Sequence, residues 1–306
     1  MLEAAPPSGK GKRLPSGGAP ATISEAMKAI RPVSAMLLLV VALLGGCSEE
    51  FPPAHNASIS GSAMDSQGNP LGEIQIGALF FFRTPSAPSG VLQPAAGGIR
   101  LLAPYPNPNT AAVEGDVTIT VECDVDTTGR LEIYGSSAGV RIVIATLKTG
   151  GFAAGSHTVA WDGVNRTLQI PVSYVPNGLY EVRLTVPENP PAGTTPLVLT
   201  QNLLVNRPSG LMFPEAYNYQ TAPDGYFLLE DLAIGEPFTM TSASGSVMGA
   251  REVSDIVTVY FRDPHFEYRD TQKSVTLGPR DQVTLDILME SNFPSAGGLL
   301  ARQGAR

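Results

Sequence analysis

Ser58-Ile59-Ser60-Gly61-Ser62-Ala63-Met64-Asp65-Ser66-Gln67-Gly68-Asn69-Pro70-Leu71 reads as a strand that runs into a turn. Ile59, Gly61 and Ala63 alternate with polar neighbours, the period of two that lays one face of a strand on a core and the other toward water. Asp65 to Pro70 supplies the turn, because Asp, Asn, Gly and Pro accept the backbone angles that turns demand. Ile74, Ile76 and Ala78 then resume the alternation. A lone hairpin is marginal in water, so this pair needs strands from elsewhere in the chain. Candidates lie far downstream, where Thr221-Ala222-Pro223-Asp224-Gly225-Tyr226-Phe227 launches a strand that continues through Leu229 and Leu232. Strand patterns follow at Phe238–Ala243, Val253–Arg262 and Val283–Met289.

The composition agrees with an all-β chain. Among 306 residues, 32 glycines and 27 prolines with only 16% charged residues suit short strands joined by many turns. The net charge of −8, with no Lys/Arg cluster past residue 31, repels phosphate backbones and argues against a nucleic-acid partner.

The two separated pieces resemble the carboxypeptidase regulatory-like domain, a seven-stranded transthyretin-like sandwich. The first piece carries the resemblance through Ile59-Ser60-Gly61, Asp65, Gly68, Pro70 and Leu71. The second carries it through Asp224-Gly225-Tyr226-Phe227, Leu232, Gly235 and the closing run from Val275-Thr276-Leu277 to Leu288, with each glycine expected to make a turn. The chain departs from the family pattern at Gly72, which follows Leu71 directly and predicts a reshaped corner. In the family the two motifs lie about a strand apart, so something is inserted here.

The intervening stretch Leu102-Ala103-Pro104-Tyr105-Pro106-Asn107-Pro108-Asn109 resembles the opening of FlgD-type Ig-like domains. Further matches are the strands Val117–Cys123 and Leu131–Tyr134, the run Gly155 to Trp161-Asp162-Gly163, then Pro176-Asn177-Gly178-Leu179-Tyr180 and a last strand Glu181–Val186. Asn109 stands where that family has Phe. Val117, Ile119, Val121 and Cys123 share one face of their strand, and Trp161 is expected to cap the core with Asp162-Gly163 turning the chain beneath it. The expected fold class is therefore all-β, with two Greek-key-type β-sandwiches: an Ig-like domain over 100–206 inserted into a discontinuous transthyretin-like sandwich over 58–83 and 215–290. Loop tips tolerate such insertions when the guest's ends lie close together. Thr84–Gly98 and Asn206–Pro214 would be the hinges, and a simple tandem is the alternative if the early hairpin pairs otherwise. Residues 291–306 read as a disordered tail.

Ahead of the first strand, Met27-Lys28-Ala29-Ile30-Arg31 precedes the apolar run Met36–Leu44 and then Gly45-Gly46-Cys47-Ser48. A basic segment followed by an apolar run too short to span the ~30 Å hydrocarbon core reads as an export signal. Leu44-Gly45-Gly46-Cys47 resembles a lipobox, which implies cleavage between Gly46 and Cys47 and lipid on the Cys47 thiol. An uncleaved anchor, or an ordinary signal peptide with an incidental cysteine, is the alternative. Residues 1–46 are thus expected to be a leader and signal peptide with Met27 as the true start, and 47–57 a tether. Ser48 is not the aspartate that retains lipoproteins in the inner membrane of enteric bacteria, so the resemblance implies a cell-envelope protein, in the outer membrane rather than the inner. With Cys47 lipidated, Cys123 has no partner in its own chain and a disulfide framework is excluded.

No stretch signals catalysis, a cofactor or a metal. His55, His157 and His265 lack ligand spacing, and Asp263, Glu267 and Asp270 around His265 read as a solvated loop. Asp124–Gly129 lacks the twelfth-position glutamate of a calcium loop, that place being Gly135, and reads as a hairpin turn. Ser242–Ser246 reads as a flexible loop without a nucleophile motif. Cys123 reads as core, while Phe80-Phe81-Phe82 puts aromatic rings on both strand faces, so that one is exposed or covered by the inserted domain. The expected protein is a non-enzymatic structural or protein-interaction module held at the membrane by lipid on Cys47. The alternative is a glycan- or peptide-binding accessory of a secretion, adhesion or polysaccharide-handling complex, using exposed aromatics such as Tyr105, Tyr134 or Tyr217. An enzyme ranks third, because the zinc-bearing catalytic domain of the carboxypeptidases is not in the chain.

Overall fold

β1 (Ala57–Asp65) shows the expected alternation, with Ala57, Ile59, Gly61 and Ala63 buried and the residues between them half-buried. The computed structural model describes residues 57–85, 95–110, 116–137, 140–166, 173–207 and 219–293, and every regular element among them is a strand. After β1 come β2 (Gln75–Arg83), β3 (Ala95–Ala96), β4 (Ile99–Leu101), β5 (Val117–Cys123), β6 (Thr127–Ser137), β7 (Val140–Phe152) and β8 (Gly155–Trp161). The middle of the chain closes with β9 (Val164–Asn165), β10 (Ser173–Tyr174), β11 (Gly178–Val186) and β12 (Leu197–Val205). The last third adds β13 (Tyr219–Gln220), β14 (Tyr226–Leu232), β15 (Pro237–Thr241), β16 (Val247–Arg262), β17 (Thr271–Thr276), β18 (Gln282–Thr284) and β19 (Ile287–Met289).

The two early strands do not pair with each other as the expected hairpin: the Asp65–Pro70 turn carries the chain from one sheet to the other, and each strand finds its partners across the sequence. β1 lies between β14 on one side and β18 and β19 on the other, and β2 lies between β13 and β16. The long β16 takes β15 along its first half and β17 along its second. Ile59, Phe227 and Ile287 from one sheet meet Ile76, Val259 and Phe261 from the other in a single core, where the Phe227 and Phe261 rings pack edge to face at 5.2 Å. Between these two pieces of chain, β12-β11-β6-β7 and β3-β4-β5-β8 form a second sandwich around Val117, Ile119, Val121, Leu131, Ile133, Trp161 and Val182. The protein is all-β, with one sandwich inserted into another.

Several local expectations are corrected. Gly61 makes no turn: it sits in mid-strand because a Cβ there would collide with the Leu285 backbone carbonyl. That close approach also splits the expected Val283–Met289 strand into β18 and β19, since Leu285 N–H bonds Ser60 O (2.7 Å) and Asp286 Oδ1 accepts Ser62 N–H (3.1 Å). The hairpin turn read at Asp124–Gly129 is shorter, because Thr127 already begins β6. β7 escapes simple alternation because Ile144 and Leu147 are bulged against β6, so that Ile144 and Ala145 are buried side by side. In the corner after Leu71, Glu73 takes φ 63°. Ala57, assigned to the tether, is a buried residue of β1, and Ser291 and Asn292, assigned to the tail, are tied to the 266–268 loop through the Tyr268–Ser291 bridge and Asn292 Nδ2 bonds to Phe266 O and Tyr268 O (both 2.9 Å). The expected signal peptide, Gly46, Cys47, His55, Tyr217, most of both expected hinges and residues 294–306 lie outside the described residues.

Candidate functional site

A dense polar arrangement forms the seam between the two sandwiches, and the Pro104–Asn109 segment starts it. Its alternate prolines lack N–H groups and hold the chain extended, leaving Tyr105, Asn107 and Asn109 to make the backbone contacts. Tyr105 bridges Thr118 of β5, Asn107 bridges Thr241 of β15, and Asn109 bridges Val205 of β12. The Asn107 side chain is fully buried. Its Nδ2 donates to Asn202 O in the inserted sandwich and Thr239 O in the host (both 2.9 Å), while its Oδ1 accepts Leu204 N–H (3.0 Å). Beside it, Asn202 Nδ2 reaches Pro237 O (2.8 Å) and Thr241 Oγ1 donates to Pro104 O (2.8 Å).

A second set of amides seals the edge of β2. Asn206 accepts Phe80 N–H at Oδ1 (2.9 Å) and donates from Nδ2 to Phe80 O (2.8 Å), so one side chain does what a residue of a neighbouring strand would do. Asn177 donates to Ala78 O and to Arg207 O (both 2.8 Å) and accepts Arg207 N–H (2.8 Å). Arg207 in turn donates to Val175 O (2.8 Å), and its guanidinium fills the space that a side chain on Gly163 would need. Asn206 and Arg207, read as the start of a hinge, are buried and fixed. Leu204 carries the seam inward by packing in the host core. A polar group buried without a partner is costly, and here the asparagine amides are spent on backbone groups, which joins the sandwiches as one body.

The residues singled out in sequence fall into two separate groups. Trp161 is buried in the inserted core, its indole N–H donating to Val164 O (3.1 Å), while Asp162 Oδ1 accepts Val164 N–H (3.1 Å) and Gly163 takes φ 78°. In the host, Asp224 Oδ1 accepts Tyr226 N–H (3.0 Å), Gly225 takes φ 77° with a Cβ position 2.6 Å from Ala63 O, and Phe227 enters the other core. Both groups make turns and cores. Cys123 is buried, and desolvation pushes its thiol pKa up against the smaller opposing pull of Lys148. His157 is held locally, its Nε2 2.7 Å from Ala153 O. His265 is exposed, 3.4 Å from Glu73, but its neighbour Asp263 is not solvated as expected: it is buried and accepts the N–H groups of His265 (2.8 Å), Glu267 (2.7 Å) and Tyr268 (3.0 Å).

The proposed recognition aromatics are partly hidden. Tyr105 lies against Gly245 and is half-buried. Tyr134 is half-buried with its hydroxyl on Glu132 (2.9 Å) and the Arg141 guanidinium 4.7 Å from its ring; burial and that carboxylate push its pKa up. Of Phe80–Phe82, Phe80 is core while Phe81 and Phe82 are exposed, the latter against the Phe238 ring at 5.9 Å. No group of three or more His, Cys, Asp or Glu side chains among the described residues is placed to hold a metal ion. Sequence reasoning missed the roles of Asn107, Asn177, Asn202 and Asn206. Asn107 and Asn177 stand inside quoted motifs, but nothing in a sequence tells where an amide points. No protein-family model matches the chain, and no curated protein matches it.

Proposed function

We propose that the chain is a lipid-anchored, non-enzymatic cell-envelope protein that acts as a structural or protein-interaction module, with Cys47 carrying the lipid and the outer membrane as its location. The observation that carries this reading is the ordered series of Lys28 and Arg31, the apolar run Met36–Leu44, and Gly45-Gly46-Cys47. The seam supports the scaffold part, since Asn107, Asn177 and Asn206 use their amides to hold two sandwiches in fixed register. A fixed two-domain body suits the display of loops and sheet edges. The glycan-binding alternative draws less support, because Tyr105 and Tyr134 are both half-buried.

The test is phase partition in Triton X-114, together with mass spectrometry of the mature amino terminus. The wild-type chain should enter the detergent phase and begin at a diacylglyceryl-modified Cys47, and Cys47→Ser should move to the aqueous phase or remain unprocessed. A full-length product with a free Cys47 thiol, distributed like Cys47→Ser, refutes the anchor.

A further inference from the structure

β8 is the last strand of the β3-β4-β5-β8 sheet and pairs with β5 in unbroken register from Val117↔Trp161 to Cys123↔Gly155. The bonds on the other side of β5 fix which way the groups of β8 point. Thr118 exchanges both bonds with Tyr105 (2.7 and 2.9 Å), Leu102 N–H donates to Thr120 O (3.0 Å), and Asp124 N–H donates to Gly98 O (2.8 Å). The even-numbered residues of β5 thus face away from β8. In an antiparallel ladder bonded and non-bonded pairs alternate, so Val117, Ile119, Val121 and Cys123 exchange bonds with Trp161, Val159, His157 and Gly155. The N–H and C=O groups of Ser156, Thr158 and Ala160 point to the opposite edge, and among the described residues no strand or side chain takes them.

The other long edges are guarded. β2 is capped by Asn177 and Asn206, and β15 and β12 by Asn107 and Asn109. β7 is bulged twice and carries Arg141 and Lys148. β17 carries an exposed Lys273, and β14 carries Glu230 and Asp231, the latter at φ 55°. Charges, bulges and covers of this kind are how sheets keep other chains from pairing. β8, Gly-Ser-His-Thr-Val-Ala-Trp, has no Asp, Glu, Lys, Arg or Pro and no bulge, and its outward side chains are small.

We infer that the free edge of β8 is a self-association surface, on which a second copy of this chain adds its own β8 antiparallel about a two-fold axis at Thr158. The occupant is a second copy because an antiparallel edge is complementary to itself under a two-fold. In this register Thr158 faces Thr158 and Ser156 faces Ala160, so every unpaired backbone group of the edge finds a partner. Although the whole chain carries −8, this strand brings no acidic residue to the contact. The pairing joins two four-stranded sheets into one and holds whether or not Cys47 bears lipid.

An edge contact of this length covers less than the about 1,000 Å² of a permanent interface, so a weak, reversible dimer is expected. Sedimentation velocity of the full chain in density-matched detergent, from about 5 to about 500 µM, should show a monomer–dimer equilibrium, and Thr158→Lys should raise the dissociation constant at least about tenfold. Trp161 emission reports whether that variant is folded. Thr158→Cys should cross-link under mild oxidation, because bonded antiparallel pairs place their Cα atoms about 5.5 Å apart, within disulfide reach. Lys273→Cys, on the charged β17 edge, should not. A monomer throughout the range, association undiminished by Thr158→Lys, or cross-linking no faster at Thr158→Cys than at Lys273→Cys overturns the inference.

Discussion

Asn107→Leu is the sharpest test of the seam, because leucine keeps the branching at Cγ and leaves no space for water while removing every amide bond. Three groups lose their partners: the buried Thr239 O and Leu204 N–H and the part-buried Asn202 O. Leaving a buried donor or acceptor unsatisfied costs about 1–3 kcal/mol, so the two buried groups together should cost about 2–6 kcal/mol. With a urea m-value of about 2–3 kcal/mol per M, the unfolding midpoint should fall by about 1–3 M. The single tryptophan, Trp161, reports the inserted sandwich, whereas far-UV circular dichroism reports both. In the wild type the two transitions should coincide, since the seam couples the bodies. In Asn107→Leu they should separate. A midpoint shift below about 0.3 M with coincident transitions would show that the amide bonds contribute little net stability and that another contact couples the sandwiches.

Two further outcomes follow from packing. Gly61→Ala should destabilise the host sandwich by more than about 3 kcal/mol, because its Cβ meets backbone that has no rotamer to yield; thermal melting by circular dichroism checks this, and a near wild-type midpoint would contradict the close approach of Leu285. Cys123 should resist iodoacetamide at pH 8 in the folded protein and react once unfolded in guanidinium, with modification located by peptide mass spectrometry. The pKa of its thiol is raised, so the protonated form persists to higher pH than in a free cysteine, and prompt alkylation of the native protein would contradict the burial.

The sequence determined the class of the fold. The two-residue period of Ile59, Gly61 and Ala63 and of Val117, Ile119, Val121 and Cys123, with turns at Asp65–Pro70 and Asp224-Gly225, specifies strands, their inward faces and where they stop. Those signals are local, a matter of side-chain spacing and permitted backbone angles. Where partners are many residues away the sequence is silent. The period puts Gly61 in a strand but does not show that the Leu285 backbone lies against it, which is what requires a glycine there. β7 hid behind two bulges, which break the alternation that would reveal it. Asn107 and Asn177 stood inside motifs that said nothing of their amides, and Asn206 was read as the start of a hinge. Only the tertiary structure brought their amides to Thr239, Ala78 and Phe80, because an amide's role depends on which desolvated donor or acceptor lies within about 3 Å of it, a distance that chain folding alone decides.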